Sequence, residues 1–126
     1  MDSKQYLEDS SRTVSDNYSE ISSRLIGQKE IDLLHAALGM QTEAAEFSDM
    51  LKKAVFYGKA IDQVNLREEI GDMLWYAALA LRALNSDFES VMERNIEKLK
   101  ARYPLKFTEE KAISRNLELE REILEK

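Results

Sequence analysis

Two pairs of acidic residues, each separated by one helical turn, are the part of this sequence best suited to chemistry. The first pair is Glu43 and Glu46, in the segment TEAAEFSDM. The second pair is Glu69 and Asp72, in the segment REEIGDMLWY. Residues three apart in a helix are neighbours on one face, and like charges there are mildly destabilising. The spacing is compatible with a solvated acidic face or with a cation held between carboxylates.

The elements that must position these acids are helices, because hydrophobic residues recur at helical spacing and no stretch alternates as a strand would. Glycine and proline supply the predicted ends: Gly58 ends the second helix and Pro104 the fourth. Asn65 is the predicted N-cap of the third helix. The expected fold class is therefore all-α, a helical bundle. Five helices are predicted, from about 4 to 26, from 28 to 57, from 66 to at least 84, from the Ser86 capping box to about 103, and after 108.

The second and third predicted helices bring the two acidic pairs together if they pack antiparallel, with about 8–10 Å between their axes. Glu46 follows the core residue Ala45, and Glu69 precedes the core residue Ile70, so both acidic faces border the apolar stripe. Four carboxylates at one rim cannot all remain ionised without a counter-charge. A hard divalent cation, above all Mg²⁺, meets that need with oxygen ligands. The pattern by itself leaves both the metal site and the solvated face open.

Composition excludes several other classes of function. The 126 residues fit a single domain spanning residues 1–126, and 44% hydrophobic residues are enough for a core. The absence of cysteine excludes disulfides and thiolate metal sites. The net charge of -6 argues against a nucleic-acid partner. The longest apolar run, residues 73–81, is too short to span a membrane, and the N-terminus lacks the apolar region of a secretory signal, so a cytoplasmic protein is expected.

The order and context of the two motifs resemble the MazG-like all-α nucleotide pyrophosphohydrolases. The resemblance is carried by HAALGMQTEAAEFSDMLKK, LREEIGDMLWY and NIEKLKARYPLKF, and it covers about residues 34–107. It implies an enzyme that uses Mg²⁺, with Mn²⁺ as a substitute, to cleave a nucleoside triphosphate to the monophosphate and pyrophosphate. Glu68 is a further catalytic candidate, and either it or Glu43 is a candidate general base. The resemblance implies that the metal ligands are Glu43, Glu46, Glu69 and Asp72.

A basic stripe on the fourth predicted helix is the candidate substrate-binding surface. Asn95, Lys98 and Arg102 are spaced i, i+3, i+7 and share one helix face. Taken without the resemblance, the stripe is best interpreted as solvated surface on an acidic protein. The resemblance reverses that preference, because Lys and Arg are natural ligands of phosphate.

Two further side chains fall on the acid-bearing faces. Lys53 lies two turns beyond Glu46 and is a weaker candidate for a phosphate contact. Tyr76 lies four residues after Asp72. Its ring is expected either to contact the substrate, by stacking on a sugar or base or by a hydroxyl–phosphate hydrogen bond, or to belong to the core.

The third predicted helix is apolar round most of its circumference between Met73 and Leu84, which predicts burial on all sides. The first and fifth helices are too polar to cover it. We therefore expect a homodimer or a dimer of dimers, in which helices two and three of each chain form a four-helix core. Trp75 is the residue expected at that interface. The N-terminal helix and C-terminal helical tail, outside about residues 28–107, are expected to set oligomer geometry or to cover the site.

Three functions remain open from the sequence. The leading hypothesis is a Mg²⁺-dependent (d)NTP pyrophosphohydrolase that cleans or regulates a nucleotide pool. A close alternative is phosphoribosyl-ATP pyrophosphohydrolase, which shares the bundle and the type of bond cleaved. The alternative from another class is a non-catalytic helical binding or assembly protein that keeps the acids for structural reasons.

Overall fold

The computed structural model describes residues 2–126, and its regular structure there consists entirely of α-helices. This confirms the predicted all-α class. Among the described residues, no helix combines the length and apolarity that crossing a bilayer requires. The seven helices within residues 2–126 are α1 (Ser3–Ser11), α2 (Tyr18–Arg24), α3 (Gln28–Tyr57), α4 (Gln63–Ala83), α5 (Phe88–Arg102), α6 (Glu109–Ile113) and α7 (Leu117–Leu124).

The hairpin of α3 and α4 is the principal packing unit. Gly39, in the first half of α3, lies against Tyr76, in the second half of α4. At the opposite end, Lys53 and Asn65 line one cleft. The two helices are therefore antiparallel, and the loop of residues 58–62 turns the chain between them. This arrangement places the middle of α3 opposite the first half of α4, where the acidic motifs lie.

The turn between α3 and α4 is fixed by a cap at each end. Gly58 ends α3 with φ 67°, a left-handed conformation that glycine adopts without steric cost. The predicted bounds of α3 and its glycine stop are confirmed. The predicted start of the next helix is wrong, because Asp62 caps α4 by accepting the backbone N–H groups of Val64 and Asn65 at 3.0 and 3.1 Å. Asn65 thus lies within the first turn of α4.

The single helix predicted over about residues 4–26 is wrong, because the chain leaves helical conformation between α1 and α2. The hydroxyls of Ser10, Ser11 and Thr13 donate to backbone carbonyls three residues earlier, at 3.1, 2.7 and 3.0 Å. Such local bonds compete with helical hydrogen bonding and favour a break.

The later helices also differ from the sequence-based bounds. Asp87, rather than Ser86, caps α5, since its carboxylate accepts the backbone N–H of Ser90 at 2.8 Å. The predicted fifth helix is two short helices, interrupted at residues 114–116. Asn116 caps the second of them with its side chain. At these helix ends more than one polar side chain is able to act as the cap. Helical periodicity alone does not show which of them does so.

The chain leaves far more surface exposed than a compact monomer of its size. Its accessible area is 10429 Å², whereas a folded monomer of 14.6 kDa exposes about 6,900 Å². Within residues 2–126, Ala36 is the sole buried hydrophobic residue. The apolar faces of the hairpin remain open, with six large side chains between 46% and 59% exposed: Ile31, Leu34, Leu38, Ile70, Leu74 and Trp75. Apolar surface of this extent is characteristic of an oligomer interface.

We expect the protein to assemble as a homo-oligomer through the exposed apolar faces of α3 and α4. In sedimentation velocity at micromolar concentration, the wild type should sediment at twice 14.6 kDa or more. Leu74→Glu should shift it toward the monomer, because a charge would be buried in the interface. Leu105→Glu is the matched control, since Leu105 is 98% exposed and lies outside both helices. A wild-type species of 14.6 kDa would contradict this expectation.

Candidate metal centre

Three of the four motif acids meet between α3 and α4. One carboxylate oxygen from each of Glu43, Glu69 and Asp72 lies within 4.8 Å of the other two. Glu43 comes from α3, and the other two acids come from α4. Oxygens that bind one Mg²⁺ in neighbouring octahedral positions are about 3 Å apart. Small side-chain rotations would therefore close this acid group around a cation, and its all-oxygen donors fit Mg²⁺ or Mn²⁺.

Glu69 is the most enclosed member of the acid group, with 4% of its surface exposed. Burial of a carboxylate is unfavourable unless hydrogen bonds replace its hydration. The side-chain amide of Asn65, one turn earlier on α4, donates to Glu69 Oε1 at 2.8 Å. This bond engages one oxygen of the carboxylate and leaves the other without a hydrogen-bond donor among the described residues. The sequence analysis missed this role of Asn65, although its i, i+4 spacing from Glu69 would have indicated it.

Glu46 lies outside this three-acid group but close to it. It is exposed on α3 and lines a cleft of about 390 Å³ whose opposite wall includes Glu69 and Asn65. Glu68 is exposed on α4 and lines none of the clefts that border the acids. The structure thus brings three motif acids into one group, sets Glu46 at its rim and leaves Glu68 outside.

Lys53 lies in the same cleft as Glu46 and carries the positive charge expected there. Its Nζ lies 2.6 Å from Asp49 Oδ2, and Lys52 Nζ lies 2.5 Å from Asp49 Oδ1. Hydrogen bonds from Lys52 and Lys53 lower the pKa of Asp49 to about 2. The hydrogen bond to Asp49 in turn raises the pKa of Lys53, so both partners stay charged at neutral pH. Asp49 thereby fixes a cation beside the acid group.

A second cleft, of about 330 Å³, borders the other side of the acid group and is lined by Glu43, Asp72, Trp75 and Tyr76. The ring of Tyr76 packs over Gly39, where a Cβ atom would lie only 2.2–2.4 Å from the ring carbons. Trp75 contacts Tyr76 edge to face, with ring centroids 5.0 Å apart, and stays 59% exposed. An aromatic wall therefore stands next to the acids. The sequence placed Trp75 only at an interface and did not associate it with this cleft.

The basic stripe of α5 is not gathered at the acid group. Its members, Asn95, Lys98 and Arg102, line neither cleft beside the acids. The main packing of α5 is against α7. Arg102 forms an ion pair there with Glu120, donating from Nε to Oε1 at 2.8 Å and from Nη2 to Oε2 at 2.5 Å. The shared helix face was visible in the sequence, but the partner across α7 was not.

Comparison with known proteins agrees with this geometry. The model of the MazG nucleotide pyrophosphohydrolase domain matches residues 32–107. That range is more than half of the chain, contains the acid group and both clefts beside it, and ends before α6. No curated protein and no solved structure matches the chain significantly. The chain belongs to the MazG nucleotide pyrophosphohydrolase family.

Proposed function

We propose that the protein is a Mg²⁺-dependent pyrophosphohydrolase that cleaves a (d)NTP to the monophosphate and pyrophosphate, in cleaning or regulating a nucleotide pool. The observation that carries this proposal is the meeting of Glu43, Glu69 and Asp72 between two helices, within the range matched by the family. Family membership supports hydrolysis of a nucleotide. The nature of the metal, the bond cleaved and the triphosphate substrate are our inferences from the donor set and the sequence motifs.

The acid group supplies the metal ligands in this proposal. Glu43, Glu69 and Asp72 would hold the cation, and Glu46, at the rim of the neighbouring cleft, would be the fourth ligand. When bound, such a cation supplies Lewis-acid activation of water and neutralises charge that develops on the phosphates. Repulsion between carboxylates gathered at one site destabilises the metal-free protein. Because a bound cation would relieve that repulsion, the repulsion favours cation binding.

The residues around the acid group would orient the substrate. Lys53, held by Asp49, would face phosphate from the side of the Glu46 cleft. Tyr76 and the exposed ring of Trp75 would offer an apolar platform for a sugar or base on the other side. This division separates the charged and uncharged parts of a nucleotide across the metal centre.

The residues of the α5 stripe would complete phosphate binding from a neighbouring protomer. Asn95, Lys98 and Arg102 share a helix whose main packing in its own chain is against α7. An oligomer interface on the open faces of the hairpin would bring another protomer's cations toward the acids. Of the two candidates for a general base, Glu43 would lie at the metal centre, whereas Glu68 lines neither cleft beside the acids in a single chain.

Replacement of a metal ligand should abolish turnover while the fold is kept. Glu69→Gln and Asp72→Asn are expected to lower kcat/KM by more than about 100-fold, beyond the effect of groups that merely orient a ligand. The metal-free variants should melt at or above the wild-type temperature, because repulsion between carboxylates is relieved. Glu93→Gln, an exposed acid on α5, is the matched control. Undiminished turnover in EDTA would refute the metal-dependent mechanism.

The bond cleaved is tested by product analysis. Anion-exchange chromatography of reactions with a panel of canonical and modified NTPs and dNTPs should show nucleoside monophosphate and pyrophosphate in equal amounts. The panel also identifies the preferred base and sugar. Appearance of nucleoside diphosphate with inorganic phosphate would place attack at the γ-phosphate and contradict the proposal.

Asn65→Ala should weaken metal binding because Glu69 loses the donor that orients its carboxylate. We expect Mn²⁺ affinity, measured by electron paramagnetic resonance, to fall by about 10–100-fold. The Mg²⁺ concentration for half-maximal activity should rise, while kcat at saturating Mg²⁺ is largely retained. Gln63→Ala is the control, since it removes from the same helical turn an amide whose side-chain hydrogen bond is with Arg67. Unchanged Mn²⁺ affinity in Asn65→Ala would show that the hydrogen bond has no positioning role.

A further inference from the structure

A buried carboxylate joins the C-terminal helix α7 to the basic stripe. Glu120 is 5% exposed and accepts hydrogen bonds from two arginines. Arg102 of α5 donates at 2.8 and 2.5 Å, and Arg115, just before α7, donates from Nη2 at 2.6 Å. The hydrogen bond from Arg102 is the largest cause of a Glu120 pKa of about 2, followed by that from Arg115. Glu120 is therefore ionised and enclosed between two guanidinium groups.

The negative charge of Glu120 does not balance the two guanidinium groups that contact it, so the ion pair carries one uncompensated positive charge. Lys111 lines the same cleft of about 180 Å³ as Arg102 and Glu120. A phosphate dianion in place of the carboxylate would match the charge of the two guanidinium groups. Guanidinium groups bind phosphate with the same two-pronged geometry that they use for carboxylate.

The attachment of α7 depends heavily on this one carboxylate. The helix spans eight residues, too few to be stable by itself. Its three leucines, Leu117, Leu119 and Leu124, remain 62%, 41% and 39% exposed, and Ile123 is only partly buried, so apolar burial contributes modestly. The other hydrogen bond that joins α5 to α7 in the described chain is from Arg94 Nη1 to the carbonyl of Leu124, at 3.4 Å. A ligand that competes for Arg102 would therefore weaken the attachment of α7 and favour its release.

The two partners of the ion pair also differ in whether the family model covers them. Arg102 falls within residues 32–107, which the family model matches, whereas Glu120 and Arg115 lie beyond them. We propose that Glu120 is an internal occupant of a phosphate-binding position on Arg102, so that α7 acts as a latch displaced by a phosphate group. The role of the latch in turnover rests on the proposed function, because it assumes that Arg102 contacts the substrate.

The latch has a quantitative consequence for affinity. A binding position that is open in a fraction of molecules has an apparent affinity reduced by that fraction. A latch closed about 90% of the time weakens phosphate binding about tenfold. The C-terminal segment would thus set the nucleotide concentration at which the enzyme works, without contacting the metal centre.

Binding of inorganic pyrophosphate in EDTA tests the latch apart from the metal centre. By isothermal titration calorimetry on the full chain, Glu120→Gln should bind pyrophosphate about tenfold more tightly than the wild type. Glu118→Gln removes an equal charge from an exposed position of α7 and should match the wild type. Arg102→Ala should lose binding. Equal affinity of wild type and Glu120→Gln would overturn the proposal and show that Glu120 only holds α7 against α5.

Hydrogen exchange distinguishes displacement from simple binding beside the ion pair. Pyrophosphate should raise amide exchange across residues 117–124 of the wild type, and Glu120→Gln should show the raised level without ligand. Pyrophosphate that binds without any change in this segment would refute the displacement.

Kinetics with nucleoside triphosphate then tell whether the displacing phosphate is that of the substrate. A lower KM in Glu120→Gln at unchanged kcat identifies the substrate's phosphate. A lower inhibition constant for pyrophosphate at unchanged KM identifies the free product, which also releases the latch. If no nucleotide is hydrolysed at all, the proposed function fails, while the calorimetry and exchange results still decide whether Glu120 occupies a phosphate position.

Discussion

The enclosure of the Glu69 carboxylate between α3 and α4 is the constraint on which the rest of this structure depends. The hydrogen bond from Asn65 to one of its oxygens offsets part of the cost of this burial. Glu43 and Asp72 then add negative charge within 4.8 Å. The hairpin thus holds together groups that repel one another, and helix packing must offset that repulsion. In the proposed metal site, a divalent cation would relieve this repulsion, so the repulsion would favour its binding.

The hairpin performs this task with little core of its own. Within the described residues, Ala36 is the sole buried hydrophobic residue, and the outer faces of both helices are apolar and open. Contacts with a partner chain in the proposed oligomer would add rigidity at the acid group. In the proposed oligomer, binding of a partner would stabilise the hairpin and fix the distance between the two acidic motifs together.

Much of the hairpin could be predicted from the sequence, because its helix bounds and its turn are set by residues that are close together in the chain. The bounds of α3 follow from helical periodicity and from Gly58, whose left-handed backbone suits glycine. The acids of α3 and α4 could be brought together because a short loop forces neighbouring helices to be antiparallel. The group that formed has three members, with Glu46 at its edge, since side-chain direction depends on packing that spacing does not specify.

The features that the sequence did not reveal are choices between similar polar side chains. Asp62 and Asn65 are both good helix caps, and the selection of Asp62 freed the Asn65 amide for Glu69. Arg102 had several acidic candidates along the chain, and its bidentate partner proved to be 18 residues away, on a helix that sequence reasoning merged with α6. Such pairings depend on which helices pack together in the tertiary structure. That packing cannot be read from a single sequence.

The contact between Gly39 and Tyr76 has a geometric consequence for the metal centre. Gly39 precedes Glu43 by one turn of α3, and Tyr76 follows Asp72 by one turn of α4. The ring lies where the Cβ of any other residue at position 39 would be. The thickness of the Tyr76 ring, which packs directly against the backbone of Gly39, therefore sets the distance between α3 and α4 at this point. In the proposed metal site, one turn further along, that same gap would limit the radius of the cation that the carboxylates could bind together.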